Sequence, residues 1–135
     1  MTWGPVTYAV GREKVREYAT AVGETSPLCH DVDAARDAGY ADVVAPPMFA
    51  AVYKAGAIGA ALTDPEIGMD FARMVHGAQE FSWGEPVVAG DEVTTEAELL
   101  RVDERGGLRF FEFETRSVNQ RGESTCVGRW TTIVR

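Results

Sequence analysis

Cysteine is nearly absent from this chain. Cys29 and Cys126 are the only two, too few for a disulfide framework. Free thiols suit a reducing compartment, so the expected location is the cytoplasm. Histidine is equally scarce. His30 and His76 match no standard metal-ligand spacing, and neither a metal nor a cofactor is expected. Positive charge is in deficit, with 13 Lys and Arg against 21 Asp and Glu and a formal net charge of −8. Such a surface repels phosphate backbones and argues against a nucleic-acid partner. Met1-Thr2-Trp3-Gly4-Pro5 has neither a basic start nor an apolar run, so no signal peptide is expected. The longest apolar stretch, Met48 to Leu62, carries Lys54 and is too short to cross a bilayer, so no membrane partner is expected. Repeats, low-complexity tracts and linkers are missing too. The 135 residues read as a single domain, 1–135, long enough to bury a core.

What is present reads as helices first and strands later. Pro5 to Val10 is a strand candidate. Val15, Tyr18, Ala19 and Val22 recur at i, i+3, i+4 and i+7, one face of a helix that Gly23 stops. Glu24 to Asp31 reads as loop, and Asp33 to Ala38 as a helical turn closed by Gly39. Pro47 suits the first turn of a helix running to about Leu62, where its missing N–H does no harm. That helix is apolar on nearly all sides and must be wrapped by something. Four long strand candidates follow: Phe71 to Trp83, Val93 to Val102, Leu108 to Val118 and Ser124 to Val134, separated by turn signals. In the third, Phe111, Phe113, Thr115 and Ser117 share one face. The simplest arrangement is α+β, an antiparallel sheet curled around the apolar helix, with open edges that suit a dimer seam.

Chemistry-bearing residues collect before that helix. Glu24, Cys29, His30 and Asp31 lie on one stretch, and Val44-Ala45-Pro46-Pro47-Met48-Phe49 opens the helix. A polar loop held against a helix start is suited to gripping a thioester carbonyl and moving a proton.

The run Gly23-Glu24-Thr25-Ser26-Pro27-Leu28-Cys29-His30-Asp31 resembles the loop Gly-Asp-x-Asn-Pro-Leu-His-x-Asp of the MaoC-like R-specific hydratases and dehydratases. Ala38-Gly39-Tyr40, Val44-Ala45-Pro46-Pro47-Met48, Val75 to Phe81, Glu85 to Asp91 and Asn119 to Glu123 are similar to further segments of that group. The resemblance implies a hotdog fold. Arg12-Glu13-Lys14-Val15-Arg16-Glu17-Tyr18 and the Ala-Pro-Pro helix start look like the dehydratase N-terminal type, which includes the substrate-binding subunit of heterodimeric R-specific 3-hydroxyacyl-ACP dehydratases. In that arrangement one hotdog binds the acyl chain and its partner supplies the catalytic Asp and His.

Three departures bear on function. The family's imidazole stands five residues after its acid. Here that position is Cys29, and His30 falls one step late. Glu24 replaces the shorter Asp. Pro47 takes the place of the glycine whose N–H serves as oxyanion donor, and proline has none. One such donor contributes roughly 3–4 kcal/mol. The amides of Met48 and Phe49 remain as shifted substitutes.

The resemblance therefore implies an acyl-thioester-binding subunit, for acyl-CoA or acyl-ACP, beside a second hotdog subunit in a hetero- or homodimer. Glu24 and His30 are the candidate catalytic pair. Cys29, Asp31, Tyr40, Pro47, Met48 and Phe49 are the candidate substrate-binding residues. Cys29 reads as a small filler rather than a nucleophile, having no adjacent cation to lower its pKa. Asp31 reads as a turn or cap residue. His76, inside a strand, reads as a structural histidine, and the aromatics Phe71, Phe81, Trp83, Phe110, Phe111 and Phe113 as mostly core. Arg101, Arg105, Arg109, Arg116, Arg121 and Arg129 are candidates for phosphate contact, each more ordinary as a solvated cation. Three alternatives stay open: a self-sufficient homodimeric hydratase using Glu24 and His30, a non-catalytic acyl-thioester-binding module, and a thioesterase using Glu24 or Asp31.

Overall fold

The computed structural model describes residues 1–135. The chain opens with strand β1 (Thr2–Ala9). Helices α1 (Arg12–Ala21), α2 (Pro27–His30) and α3 (Val32–Asp37) follow, and then α4 (Ala50–Leu62). It closes with β2 (Met74–Trp83), β3 (Glu92–Arg105), β4 (Leu108–Val118) and β5 (Ser124–Val134). The strands form one five-stranded sheet in the order β1-β3-β4-β5-β2, every neighbouring pair antiparallel. α4 lies against β1, β3 and β4. This is the α+β hotdog arrangement that the strand pattern and the motifs imply.

The alternation in β4 explains which face meets the helix. Phe111, Phe113, Thr115 and Ser117 are buried, while Arg116 on the opposite face is exposed. Phe111 and Phe113 pack with Ile58 and Ala61 of α4 and with Ile67 and Val134. A second cluster joins Phe49 and Tyr53 to Val15, Val43, Val93 and Cys126. Burying one phenylalanine side chain fully contributes about 1.5–3 kcal/mol, and Phe49, Phe111 and Phe113 do so at 0–1% exposure. On the outer face, charges of opposite sign answer each other across strands. Arg101 Nε donates to Glu112 Oε2 at 2.6 Å, Arg129 Nε to Glu114 Oε2 at 3.4 Å, and Arg116 pairs with Glu98 at 3.7 Å.

Several boundaries differ from the sequence reading. β1 begins at Thr2 rather than Pro5. It is an edge strand, where a proline is tolerated, and its register shifts between Trp3 and Val6. Phe71–Arg73 is a 3-10 turn rather than strand, because Asp70 Oδ1 accepts the Ala72 N–H at 3.0 Å and caps it. Within the expected loop Glu24–Asp31, residues Pro27–His30 form one helical turn with Ser26 as N-cap. α4 is not wrapped all round: Ala55 and Ala60 are exposed.

Candidate functional site

Two helix ends position the loops of the site. α1 stops at Gly23, whose φ of +75° is open to glycine at little cost. Gly23 N–H donates to Thr20 O (3.2 Å) and Glu24 N–H to Ala19 O (2.8 Å), the two bonds of a Schellman closure. Gly39, at φ +97°, repeats the device: its N–H donates to Arg36 O (2.9 Å) and Tyr40 N–H to Ala35 O (3.0 Å). The sequence signal, a glycine after an apolar period, marks both stops, and the stops deliver Glu24 and Tyr40.

Between them the polar side chains are engaged locally. Ser26 Oγ accepts the Leu28 N–H at 3.3 Å, and Asp31 Oδ1 accepts the N–H groups of Asp33 (2.9 Å) and Ala34 (3.4 Å), capping α2 and α3. Glu24 Oε1 accepts the Ser26 N–H at 2.9 Å. His30 Nε2 lies 2.6 Å from Glu24 O. A carbonyl only accepts, so Nε2 carries a proton and donates there. Arg16 Nε donates to His30 O at 2.8 Å, fastening α2 to α1. The two candidate catalytic side chains thus serve the backbone of their own loop.

A cavity of about 220 Å³ opens beside the start of α4. Its walls are Tyr40, Val44, Ala45, Pro46, Pro47 and Tyr53 on one side and Trp83 to Val87 with Thr125 on the other. Backbone pairing holds these walls together. Ala45 N–H donates to Val87 O (2.8 Å), Ala89 N–H to Val43 O (3.0 Å) and Gly84 N–H to Thr125 O (2.9 Å). A groove of about 470 Å³ lies next to it, lined by Tyr18, Val22, Gly23, Glu24, Met48 and the shared Pro46, Pro47 and Trp83. Trp83 Nε1 donates to Pro47 O at 2.7 Å.

The candidate residues therefore separate. Tyr40 and Pro47 line the cavity, while Glu24, Pro47 and Met48 line the groove. His30 and Asp31 line neither. Cys29 is buried, and burial, followed by the charge of Glu24, pushes its thiol pKa up. A raised pKa keeps the sulfur protonated and unreactive at neutral pH. Phe49 is fully buried, edge-on to Tyr18 with ring centroids 5.3 Å apart. Its amide, expected to be free, donates to Pro46 O at 2.8 Å. His76 is exposed on β2, edge-on to Trp130.

The sequence reading missed two residues. Trp83, grouped there with the mostly core aromatics, is half-exposed on the cavity rim. Lys54, read only as an obstacle to membrane insertion, is fully buried. Its Nζ donates to Ser117 Oγ (2.8 Å), Cys126 O (2.9 Å) and, weakly, Thr115 O (3.4 Å). Ser117 Oγ also shares a 2.7 Å bond with Thr95 Oγ1. No carboxylate bonds to the ammonium. Burial pushes its pKa down to about 8, with a small opposing pull from Cys126. Its neighbours Tyr53 and Thr125 form part of the cavity lining. Burial raises the Tyr53 phenol pKa, so it stays a neutral hydroxyl.

A sheet curled on a helix, with an apolar cavity where that helix begins, defines a MaoC-like hotdog protein of the dehydratase and hydratase class. The chain belongs to the family described as FAS1-like, dehydratase domain region, which it matches over residues 1–127. A UPF0336 protein of Saccharopolyspora erythraea is 41% identical over 128 residues, covering 95% of this chain and 82% of that protein. Among solved structures, the C-terminally truncated HadBC (3R-hydroxyacyl-ACP dehydratase) complex of Mycobacterium tuberculosis has a chain that superposes with TM-score 0.84 at 30% identity. It covers 98% of this chain and 94% of that one. A MaoC-like dehydratase superposes with TM-score 0.85 at 29% identity, covering 98% of this chain and 40% of that longer one.

Proposed function

We propose that this chain is the acyl-thioester-binding subunit of an R-specific 3-hydroxyacyl-thioester dehydratase, running in reverse as an enoyl hydratase, and that a second hotdog chain supplies the catalytic Asp and His. Dehydration takes a proton from the α-carbon and gives one to the departing hydroxyl. A base able to do this must reach the bound thioester. The observation that carries the reading is the engagement of His30 Nε2 with Glu24 O, with Glu24 Oε1 taken by the Ser26 N–H. Neither residue lines the cavity, and of the two only Glu24 borders the neighbouring groove. Pro47 at the helix start removes a donor where a thioester oxyanion would need one, and Phe49 N–H is already spent on Pro46 O. What remains is an apolar cavity suited to holding a short acyl group. A relative in a two-chain 3-hydroxyacyl-ACP dehydratase complex supports a partner of the same fold.

The test mixes the purified chain with a hotdog chain that carries the complete Gly-Asp-x-Asn-Pro-Leu-His run. Crotonyl-CoA hydration should appear in the mixture and not with this chain alone. Full turnover by this chain alone, lost in His30→Ala and Glu24→Gln, would replace the proposal with a self-sufficient hydratase.

A further inference from the structure

We propose that Trp83 sets the length of acyl group this subunit accepts, by closing the passage between the cavity and the neighbouring groove. The inference rests on the acyl-thioester reading and deepens it. Three residues are common to both spaces: Pro46, Pro47 and Trp83. The two prolines belong to the backbone entering α4 and are rigid in φ. Trp83 contributes the only large side chain of the three, and its indole N–H donates to Pro47 O at 2.7 Å, so the ring is pinned across the prolines. Phe81 braces it at 5.8 Å between ring centroids.

The cavity itself holds about 220 Å³, below the roughly 300–1,000 Å³ of sites for drug-sized molecules. At Tyr40, Glu85 and Pro86 it meets a second groove, of about 560 Å³, whose lining of Glu85, Asp91, Gln120 and Arg121 does not suit an acyl chain. That limit favours a short acyl group. Beyond the ring lies a further 470 Å³ or so with apolar side chains of Tyr18, Val22 and Met48 on its walls. Removing the indole joins the two spaces.

Trp83 suits this role because little of the fold depends on its side chain. It is 51% exposed and stands at the end of β2, where its backbone pairs with Cys126. Substitution leaves that pairing intact.

The experiment measures dissociation constants of the purified chain, alone and with the partner chain, for the butyryl, hexanoyl, octanoyl and decanoyl thioesters of coenzyme A. Each methylene that finds a buried place tightens binding by about fourfold. In the native chain the tightening should stop once the cavity is full. In Trp83→Ala it should continue, raising the preference for decanoyl over butyryl by at least about tenfold. Trp83→Phe keeps a ring over the two prolines and should stay within about threefold of the native preference. It also shows whether loss of the ring, rather than of folding, causes the change. An unchanged length profile in a Trp83→Ala chain that still binds butyryl-CoA overturns the role of Trp83 while sparing the acyl-thioester reading. A native chain that binds none of the four, alone or with its partner, overturns both.

Discussion

Replacing Lys54 by methionine keeps an unbranched side chain of similar length and removes the buried charge. The folded pKa of Lys54 is about 8, against an ordinary value of 10.5. Each tenfold loss of proton affinity corresponds to about 1.4 kcal/mol, so holding this charge inside costs the fold roughly 3 kcal/mol. Below pH 8 the amine is protonated in both states and the whole cost is present. Between pH 8 and 10.5 the unfolded chain keeps its proton while the folded chain has released it. Stability contributed by this group therefore rises with pH across that window and levels off above it. The raised pKa values of Cys126 and Tyr53 act in the opposite sense; the burial that raises Tyr53 is common to both proteins, whereas loss of the Lys54 charge raises the Cys126 pKa further. The informative quantity is accordingly the difference between native and Lys54→Met chains. Urea unfolding at about pH 7.5, 9 and 10.5, with the slope m held common, gives that difference directly. The native chain should gain roughly 3 kcal/mol relative to Lys54→Met from the lowest to the highest pH. Parallel stability curves would refute a charged, buried Lys54.

Other perturbations probe the frame of the site. Asp31→Ala removes the side chain that caps α3 through Asp33 and Ala34, and should lower stability by about 1 kcal/mol in the same unfolding assay. Phe49→Ala empties a fully buried position between Tyr18 and Tyr53 and should cost about 3–5 kcal/mol. Little loss in that variant would mean that Phe49 faces a ligand space rather than the core.

Much of the fold was legible because its signals are local. Strand alternation in β4 separates Phe111 and Phe113 from Glu112 and Arg116 without reference to the rest of the chain. Gly23 and Gly39 mark helix stops because their φ values suit glycine. Pro47 marks a helix start for a comparable reason. An apolar helix followed by long strands already called for a sheet curled around it, and the motifs resembling a known family identified that arrangement as a hotdog.

The site was legible in part. His30 stands one residue past the family's histidine position, and its ring turns to a backbone carbonyl of its own loop. Lys54 was not readable as a buried ion, because the groups that hold it stand 61 to 72 positions further along the chain. Trp83 was obscured in the same way. Alternation placed it among the aromatics of a strand, while its partner, Pro47 O, lies 36 residues away and fixes it on the rim. Long-range contacts of this kind leave no periodic trace.

The most direct measurement concerns which chain performs the chemistry. In a mixture of this chain with a hotdog partner carrying the complete loop, the rate of crotonyl-CoA hydration is compared for His30→Ala here and for the loop histidine→Ala in the partner. A change within about threefold is expected for the first and a loss of about a hundredfold or more for the second. The reverse pattern would place the catalytic base on this chain.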